Sequence, residues 1–243
     1  MMNLYENILE SVSEGKKQLA VLIDPDKVHE AHVEAFVKKV NDSMATHIFL
    51  GGSQVNDNAS DRLANCIRPY TDLPIILFPG DENQLTANAD AVLFLSLISG
   101  RNPDFLIEKH INAVPKLNAM NLEVIPTGYI LIENGIETAV ERISKTKPIP
   151  REELELIVNT AKAGEYLGLK LVYLEAGSGA SAAVDSKIIS SVKAQINIPL
   201  IVGGGIRSKA AIDQAFRAGA DIVVIGTVLE EDETFFHQLT KTI

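Results

Sequence analysis

Tryptophan is absent from this 243-residue chain, and Phe and Tyr bring the aromatic share to only 5%. Any core must therefore be aliphatic, and a hydrophobic share of 46% is ample for one. That suits parallel strands covered on both sides, which read as Val, Ile and Leu runs. Cysteine is down to Cys66 alone, which excludes a disulfide framework within the chain and implies an intracellular, cytoplasmic home. Basic residues are the minority, 22 against 32 acidic ones, for a formal net charge of -10. A nucleic-acid partner needing a broad basic surface is not expected. Small anions are not excluded, because backbone amides and a divalent metal hold them locally whatever the global charge. No apolar run approaches the length of a bilayer span, so no transmembrane segment is expected, only a transient contact with a membrane surface. The N-terminal stretch also lacks the basic-then-apolar order of a signal peptide.

What the chain does hold is alternation. Short apolar runs at 19–23, 47–50, 75–78, 91–95, 122–126, 171–174, 200–202 and 222–225 read as strands. Amphipathic stretches at about 28–41, 59–70, 103–118, 151–167, 185–194, 209–218 and 230–241 read as helices. Eight strands alternating with helices predict an α/β fold, a (β/α)₈ TIM barrel in one domain over residues 1–243. Residues 79–89 are too few for a full barrel helix with its loops, so the third helix is expected to be reduced to a turn. Residues 127–150 form the longest connection, and one of that length inside a compact domain is expected to be functional or mobile.

In such barrels the chemistry sits where strands end at the C-terminal face. After the sixth strand comes Tyr173-Leu174-Glu175-Ala176-Gly177-Ser178-Gly179, after the seventh Gly203-Gly204-Gly205-Ile206-Arg207, and after the eighth Gly226-Thr227. Without a Cβ, glycine lets backbone N–H groups approach a phosphate closely. One such loop is accounted for by tight turning alone; three on consecutive strands favour a phosphate site. After the first strand, Asp24 and Asp26 suit Mg²⁺, which prefers oxygen ligands. Asp24, nearest the strand, is the better ligand and Asp26 the better helix cap. Ser53, after Gly51 and Gly52, offers a hydroxyl on the neighbouring loop. Glu175 is placed to accept hydrogen bonds or a proton, or to be satisfied by loop amides. Tyr173, on the same strand face, either reaches the ligand or fills the barrel. His29, His32, His47, His110 and His237 form no cluster, and Cys66 lacks the surroundings of a reactive thiol.

The strings Leu22-Ile23-Asp24-Pro25-Asp26-Lys27, Gly51-Gly52-Ser53, Phe78-Pro79-Gly80, Gly128-Tyr129-Ile130, Gly164-Glu165-Tyr166-Leu167-Gly168, Tyr173 to Gly179 and Gly203-Gly204-Gly205-Ile206-Arg207 resemble the geranylgeranylglyceryl phosphate synthase family, which includes bacterial heptaprenylglyceryl phosphate synthases. The resemblance spans nearly the whole chain. It implies a barrel with an altered third helix and Mg²⁺ held by Asp24 and Ser53. It implies an sn-glycerol 1-phosphate site at Tyr173, Leu174, Glu175, Ala176, Gly177, Ser178, Gly179, Gly204, Gly205, Gly226 and Thr227. At Thr227, where the family often carries another residue, only the backbone amide carries over.

The implied reaction is prenyl transfer from a prenyl diphosphate, geranylgeranyl diphosphate by preference and a C35 donor as the alternative, to the glycerol 3-hydroxyl. Glu175 is the implied catalytic residue, and a homo-oligomer is expected. Phe105 or Tyr129 would stop an apolar groove beside the reduced third helix. Two other readings stand beside this one. An isomerase or lyase of another phosphate-binding barrel would use Asp24 and Glu175 as acid and base, and would release no diphosphate. A non-catalytic phosphometabolite-binding protein would turn over no prenyl diphosphate.

Overall fold

The computed structural model describes residues 3–240 apart from 53, 54 and 57. Its strands β1 (Gln18–Ile23), β2 (His47–Leu50), β3 (Ile75–Leu77), β4 (Ala91–Leu97), β5 (Glu123–Leu131), β6 (Leu171–Glu175), β7 (Leu200–Gly203) and β8 (Ile222–Ile225) close into a parallel barrel in chain order. Closure is set by β1 against β8, with Gln18 opposite Ile222 and Val21 opposite Ile225. β2, β3, β6, β7 and β8 are buried throughout and β1 nearly so, which explains why they read as continuous aliphatic runs, while β4 and β5 are buried only in part. Alternate residues divide between two cores. Ala20, Phe49, Leu93, Ile125, Tyr173 and Ile201 fill the barrel. Val21, Ile48, Val92, Val172 and Val202 pack outward against the helices.

The helices are α1 (Leu4–Ser13), α2 (Val33–Asp42), α3 (Ala59–Ile67), α4 (Lys109–Asn118), α5 (Ala139–Ser144), α6 (Leu154–Tyr166), α7 (Ser186–Lys193), α8 (Lys209–Ala218) and α9 (Thr227–Glu231). Between β3 and β4 there is only a 3₁₀ turn, Glu82–Gln84, where the residue count left no room for a helix. Ser208 caps α8 by accepting from Ala211 N, and Gly219 ends it at φ +117°. Among the described residues no helix is long and apolar enough to cross a membrane.

Three elements differ from the sequence reading. α1 was not expected. It starts in a capping box between Asn3 and Glu6 and sets Ile8 into the barrel core. The Glu123 carboxylate, at the start of β5, accepts from the Leu4 and Tyr5 amides, so α1 plugs the N-terminal end. β5 runs on past Pro126 to Leu131, where the sequence had suggested a loop from Thr127. Pro126 stays in the ladder through its carbonyl, which accepts from Lys170 N. The helix expected over 230–241 is instead α9 followed by a 3₁₀ stretch, Glu233–Leu239. The break is at Asp232, whose carboxylate accepts from Thr234 N and Oγ1 and starts a new turn.

Candidate active site

The strand ends open into a cavity of about 1160 Å³, counting the space open to solvent. Leu22, Asp24, Gly52, Tyr173, Glu175, Gly204 and Thr227 are among its walls. The three glycine loops meet there. A Cβ on Gly204 would fall 2.5 Å from Gly177 N and 2.8 Å from Ala176 N, so the β7 loop lies directly on the β6 loop. Gly204 also has φ +80°, a region that side-chain-bearing residues rarely adopt. Ser178 Oγ lies 3.5 Å from Thr227 Oγ1, which joins the β6 loop to the one after β8.

Glu175 ends β6 at this junction and is 6% exposed. Its Oε1 accepts the Gly177 N–H at 2.6 Å. Burial pushes the carboxyl up to about 7, against the lowering effect of the Gly177 amide and the Tyr173 hydroxyl. Tyr173 is fully buried in the barrel, and its Oη satisfies no hydrogen-bond geometry. Tyr173 fills the barrel, and its ring also lines the cavity. Gly203 makes room for the pair. A Cβ there would meet Tyr173 Oη at 2.4 Å and Glu175 Oε2 at 3.0 Å. Burial, and then the Glu175 charge, push the phenols of Tyr129 and Tyr173 well above their ordinary value. With Phe78 these rings form a cluster with centroids 5.3–5.9 Å apart.

Asp24 follows β1, and its Oδ1 accepts from Asp26 N at 3.1 Å. Oδ2 lies 3.6 Å from Lys27 Nζ, which also pairs with Glu230 at 2.8 Å. The expectation that Asp26 caps a helix is corrected here, because the local turn is closed by Asp24. Asp26 instead accepts from the backbone and side chain of Asn56 on the next loop. Gly52 packs against Asp24, with its Cβ position 3.2 Å from the carboxylate. Ser53, the other expected metal ligand, lies outside the described residues. Among the described residues no three His, Cys, Asp or Glu side chains gather as a metal cage. One carboxylate beside free space suits Mg²⁺ shared with substrate phosphates and water rather than a fully protein-held ion.

The long connection turns out to be a brace. Asn134, Thr138 and Arg151 were not singled out in the sequence. Asn134 Nδ2 donates to Ala176 O, and Ser181 Oγ donates back to Asn134 O. Thr138 packs against Gly177. The Arg151 guanidinium donates to Glu133, Ala182 and Ala183 carbonyls, which ties the connection to the far side of the β6 loop.

Beside the mouth an apolar groove of about 870 Å³, counting the space open to solvent, runs down the outer face of β4. It shares Gly52, Phe78, Tyr129 and Val140 with the cavity, so the two are continuous. α4 and the 3₁₀ turn form its sides, and Phe105 and Tyr129, the two candidate stops, line it together with Leu97. Ile98 packs outside it, against Gly128 and Gly164.

A family model described as the PcrB family matches residues 12–243. The chain is 51% identical over 236 residues to the geranylgeranylglyceryl phosphate synthase of Flavobacterium johnsoniae, covering 97% of each. It is 53% identical over 233 residues to that of Zunongwangia profunda, covering 96% of this chain and 99% of the relative. A crystal structure of (S)-3-O-geranylgeranylglyceryl phosphate synthase from Thermoplasma acidophilum, in complex with its substrate sn-glycerol-1-phosphate, matches with a TM-score of 0.92 at 33% identity. It covers 98% of this chain and 96% of that one. The chain therefore belongs to the PcrB family, that of the geranylgeranylglyceryl phosphate synthases, and is a prenyltransferase.

Proposed function

We propose that this chain joins sn-glycerol 1-phosphate, through its 3-hydroxyl, to geranylgeranyl diphosphate, giving an ether and releasing diphosphate with Mg²⁺ as cofactor. One observation carries the reading. A buried carboxylate, Glu175, stands where three glycine loops meet, and an apolar groove opens from the same cavity. The loops suit the phosphate of a small acceptor, through backbone N–H groups at Gly179, Gly204, Gly205, Gly226 and Thr227, while the Gly177 N–H holds Glu175. The groove suits a long hydrocarbon, whose burial contributes about 0.8 kcal/mol per CH₂.

In the reaction the C1–O bond of the allylic donor breaks and its electron pair leaves with diphosphate. The glycerol 3-oxygen bonds to C1, and its proton passes to a Glu175 oxygen. Mg²⁺, when bound, supplies charge neutralisation at the departing diphosphate. Asp24 is the described residue that would hold it. Glu175 aims the hydroxyl, and its raised pKa makes it a usable proton acceptor near neutrality. The rings of Phe78, Tyr129 and Tyr173 keep water from the allylic centre and offer π-faces to its developing positive charge. Association into a homo-oligomer in the cytoplasm belongs to the same reading. Exposed Ile107, Ile111, Leu156 and Leu167 supply apolar surface for such contacts.

The test is incubation with glycerol 1-phosphate, Mg²⁺ and a ladder of prenyl diphosphates, followed by product mass analysis. A geranylgeranylglyceryl phosphate product is expected. Preferential formation of the heptaprenyl product would overturn the donor assignment, and no diphosphate release from any donor would overturn the reaction.

A further inference from the structure

α4 does not begin as an ordinary helix. The turn that leads into it, Asp104–Glu108, is a π-helical segment, and Pro115 lies inside the helix. Irregular turns of this kind cluster at functional sites. The opposite wall of the groove is irregular too, a single 3₁₀ turn where a helix would stand. That turn is anchored from below. The buried Gln84 side chain donates to Gly52 O at 3.0 Å and accepts from Gly80 N at 3.2 Å.

Across the groove the two walls are tied twice. Lys109 Nζ bonds the Asp81 carboxylate, and both residues line the groove. Lys116 Nζ, two turns further along α4, donates to Glu82 O at 3.0 Å. The Lys109 ammonium also sits 4.8 Å from the centre of the Phe105 ring, itself a groove residue. The Lys109–Asp81 pair is half-buried and stands in a lining that is otherwise mostly apolar.

We infer that the Asp81–Lys109 ion pair is a clasp that bridges the apolar groove partway along its length and thereby determines which prenyl chains are held. This rests on the proposed prenyl transfer. α4 runs antiparallel to β4 beneath it, so depth along the groove can be read from residue numbers. The lining takes in Leu97 at the mouth end of β4 and Val92 near its start, and Phe105, Lys109 and Ala113 follow one another along the facing helical wall. At the α-helical rise of 1.5 Å per residue, the step from Lys109 to Ala113 is about 6 Å. A chain that ends near Phe105 never reaches the clasp, whereas one that continues to Ala113 passes beneath it. The bridge converts an open groove into a tunnel there, fixing both walls against the far part of the hydrocarbon. A purely apolar contact would not fix the separation of the walls so narrowly, because it lacks the direction of an ion pair.

The experiment measures kcat/KM for C10, C15, C20 and C35 prenyl diphosphates in wild type, Lys109→Met, Asp81→Asn and the charge-swapped Asp81→Lys/Lys109→Asp. Lys109→Met keeps the apolar stem, and Asp81→Asn keeps the shape of the other partner, so either variant suffices if one fails to fold. The expected result is a loss that grows with chain length, about fivefold or more for C20 and C35 and under about twofold for C10. The glycerol 1-phosphate KM should stay put, and the swapped pair should recover most of the loss. Equal losses at every length, no loss, or a matching rise in the glycerol phosphate KM would overturn the clasp. A wild type that transfers no prenyl chain would instead overturn the reaction on which it rests.

Discussion

On the β6–β8 side of the mouth the wall is made of backbone. Gly177, Gly204 and the loop after β8 touch one another and are braced from behind by Asn134, Thr138 and Arg151. On the β3–β4 side the wall is made of side chains, Phe78, Leu85, Val92, Phe105 and Ala113, and a helix has been given up to make room for them. The first side offers N–H groups at fixed positions, which discriminate by charge and geometry. The second offers apolar surface, which discriminates by length and volume. Glu175 stands with the first and faces the cavity that joins both. The difference teaches that acceptor and donor selection are physically separate here and can be damaged separately.

The hardest blow to that arrangement is at the junction. Glu175→Gln keeps the size of the side chain and an acceptor for the Gly177 amide but loses basicity. It is expected to lower kcat by about 10²–10⁴-fold while glycerol 1-phosphate affinity changes only a few-fold, as read by steady-state kinetics and calorimetry. A near-normal rate would remove Glu175 from the proton-acceptor role. Asp24→Asn should lower turnover by about 10²-fold. In calorimetry it should also weaken Mg²⁺-dependent binding of a non-reactive prenyl diphosphate analogue. Normal behaviour with Mg²⁺ would contradict the metal assignment.

The same Glu175 variant has an effect on stability with the opposite sign. In the unfolded chain the carboxyl has its ordinary value of 4.5, and in the fold it titrates at about 7. The fold thus favours the protonated form. That stabilisation is complete below pH 4.5 and is lost as pH rises through 7, leaving a buried charge that costs about 3 kcal/mol above it. Glu175→Gln should therefore be more stable than wild type to urea at pH 8, by up to about 3 kcal/mol, with the gap closing towards pH 4.5. A constant gap across that range would mean that burial does not raise this carboxyl. The smallest expected effect sharpens the apolar side. Phe105 stands near the mouth, where C20 and C35 chains both pass it, so Phe105→Ala should lower kcat/KM for the two by a similar factor of about twofold to fivefold and leave their ratio unchanged. A rise in the C35-to-C20 ratio would instead make Phe105 the stop that limits chain length.

Much of this molecule was legible in its residues. The strands of a closed parallel barrel are buried on both faces, so β1, β2 and β8 stand out as aliphatic runs without any periodicity test. The missing third helix followed from counting, since residues 79–89 cannot hold one. α1 was overlooked because its role depends on a partner far along the chain, the Glu123 carboxylate at the start of β5. The end of β5 was misjudged because Pro126 and Gly128 are usually breakers, and only a flanking strand on each side keeps them in register. Among the site residues, Asp24 and Glu175 were found from their strand-end positions. The brace at Asn134 and Arg151 and the clasp at Asp81 and Lys109 were not, because each joins residues distant in sequence through side-chain length and direction. Asp26 was misassigned for the same reason, its partner being Asn56 on another loop.

At the meeting point of the two walls stands a carboxylate, Glu175, that burial has pushed up to about 7. The most direct test is the pH dependence of kcat/KM for glycerol 1-phosphate, at saturating donor and Mg²⁺, in wild type and Glu175→Gln. The wild-type rate should rise with pH along a single-proton limb whose midpoint is near pH 7, and that limb should be missing from the residual activity of the variant. A wild-type limb at the ordinary carboxylate value, or the same limb in both proteins, would contradict it.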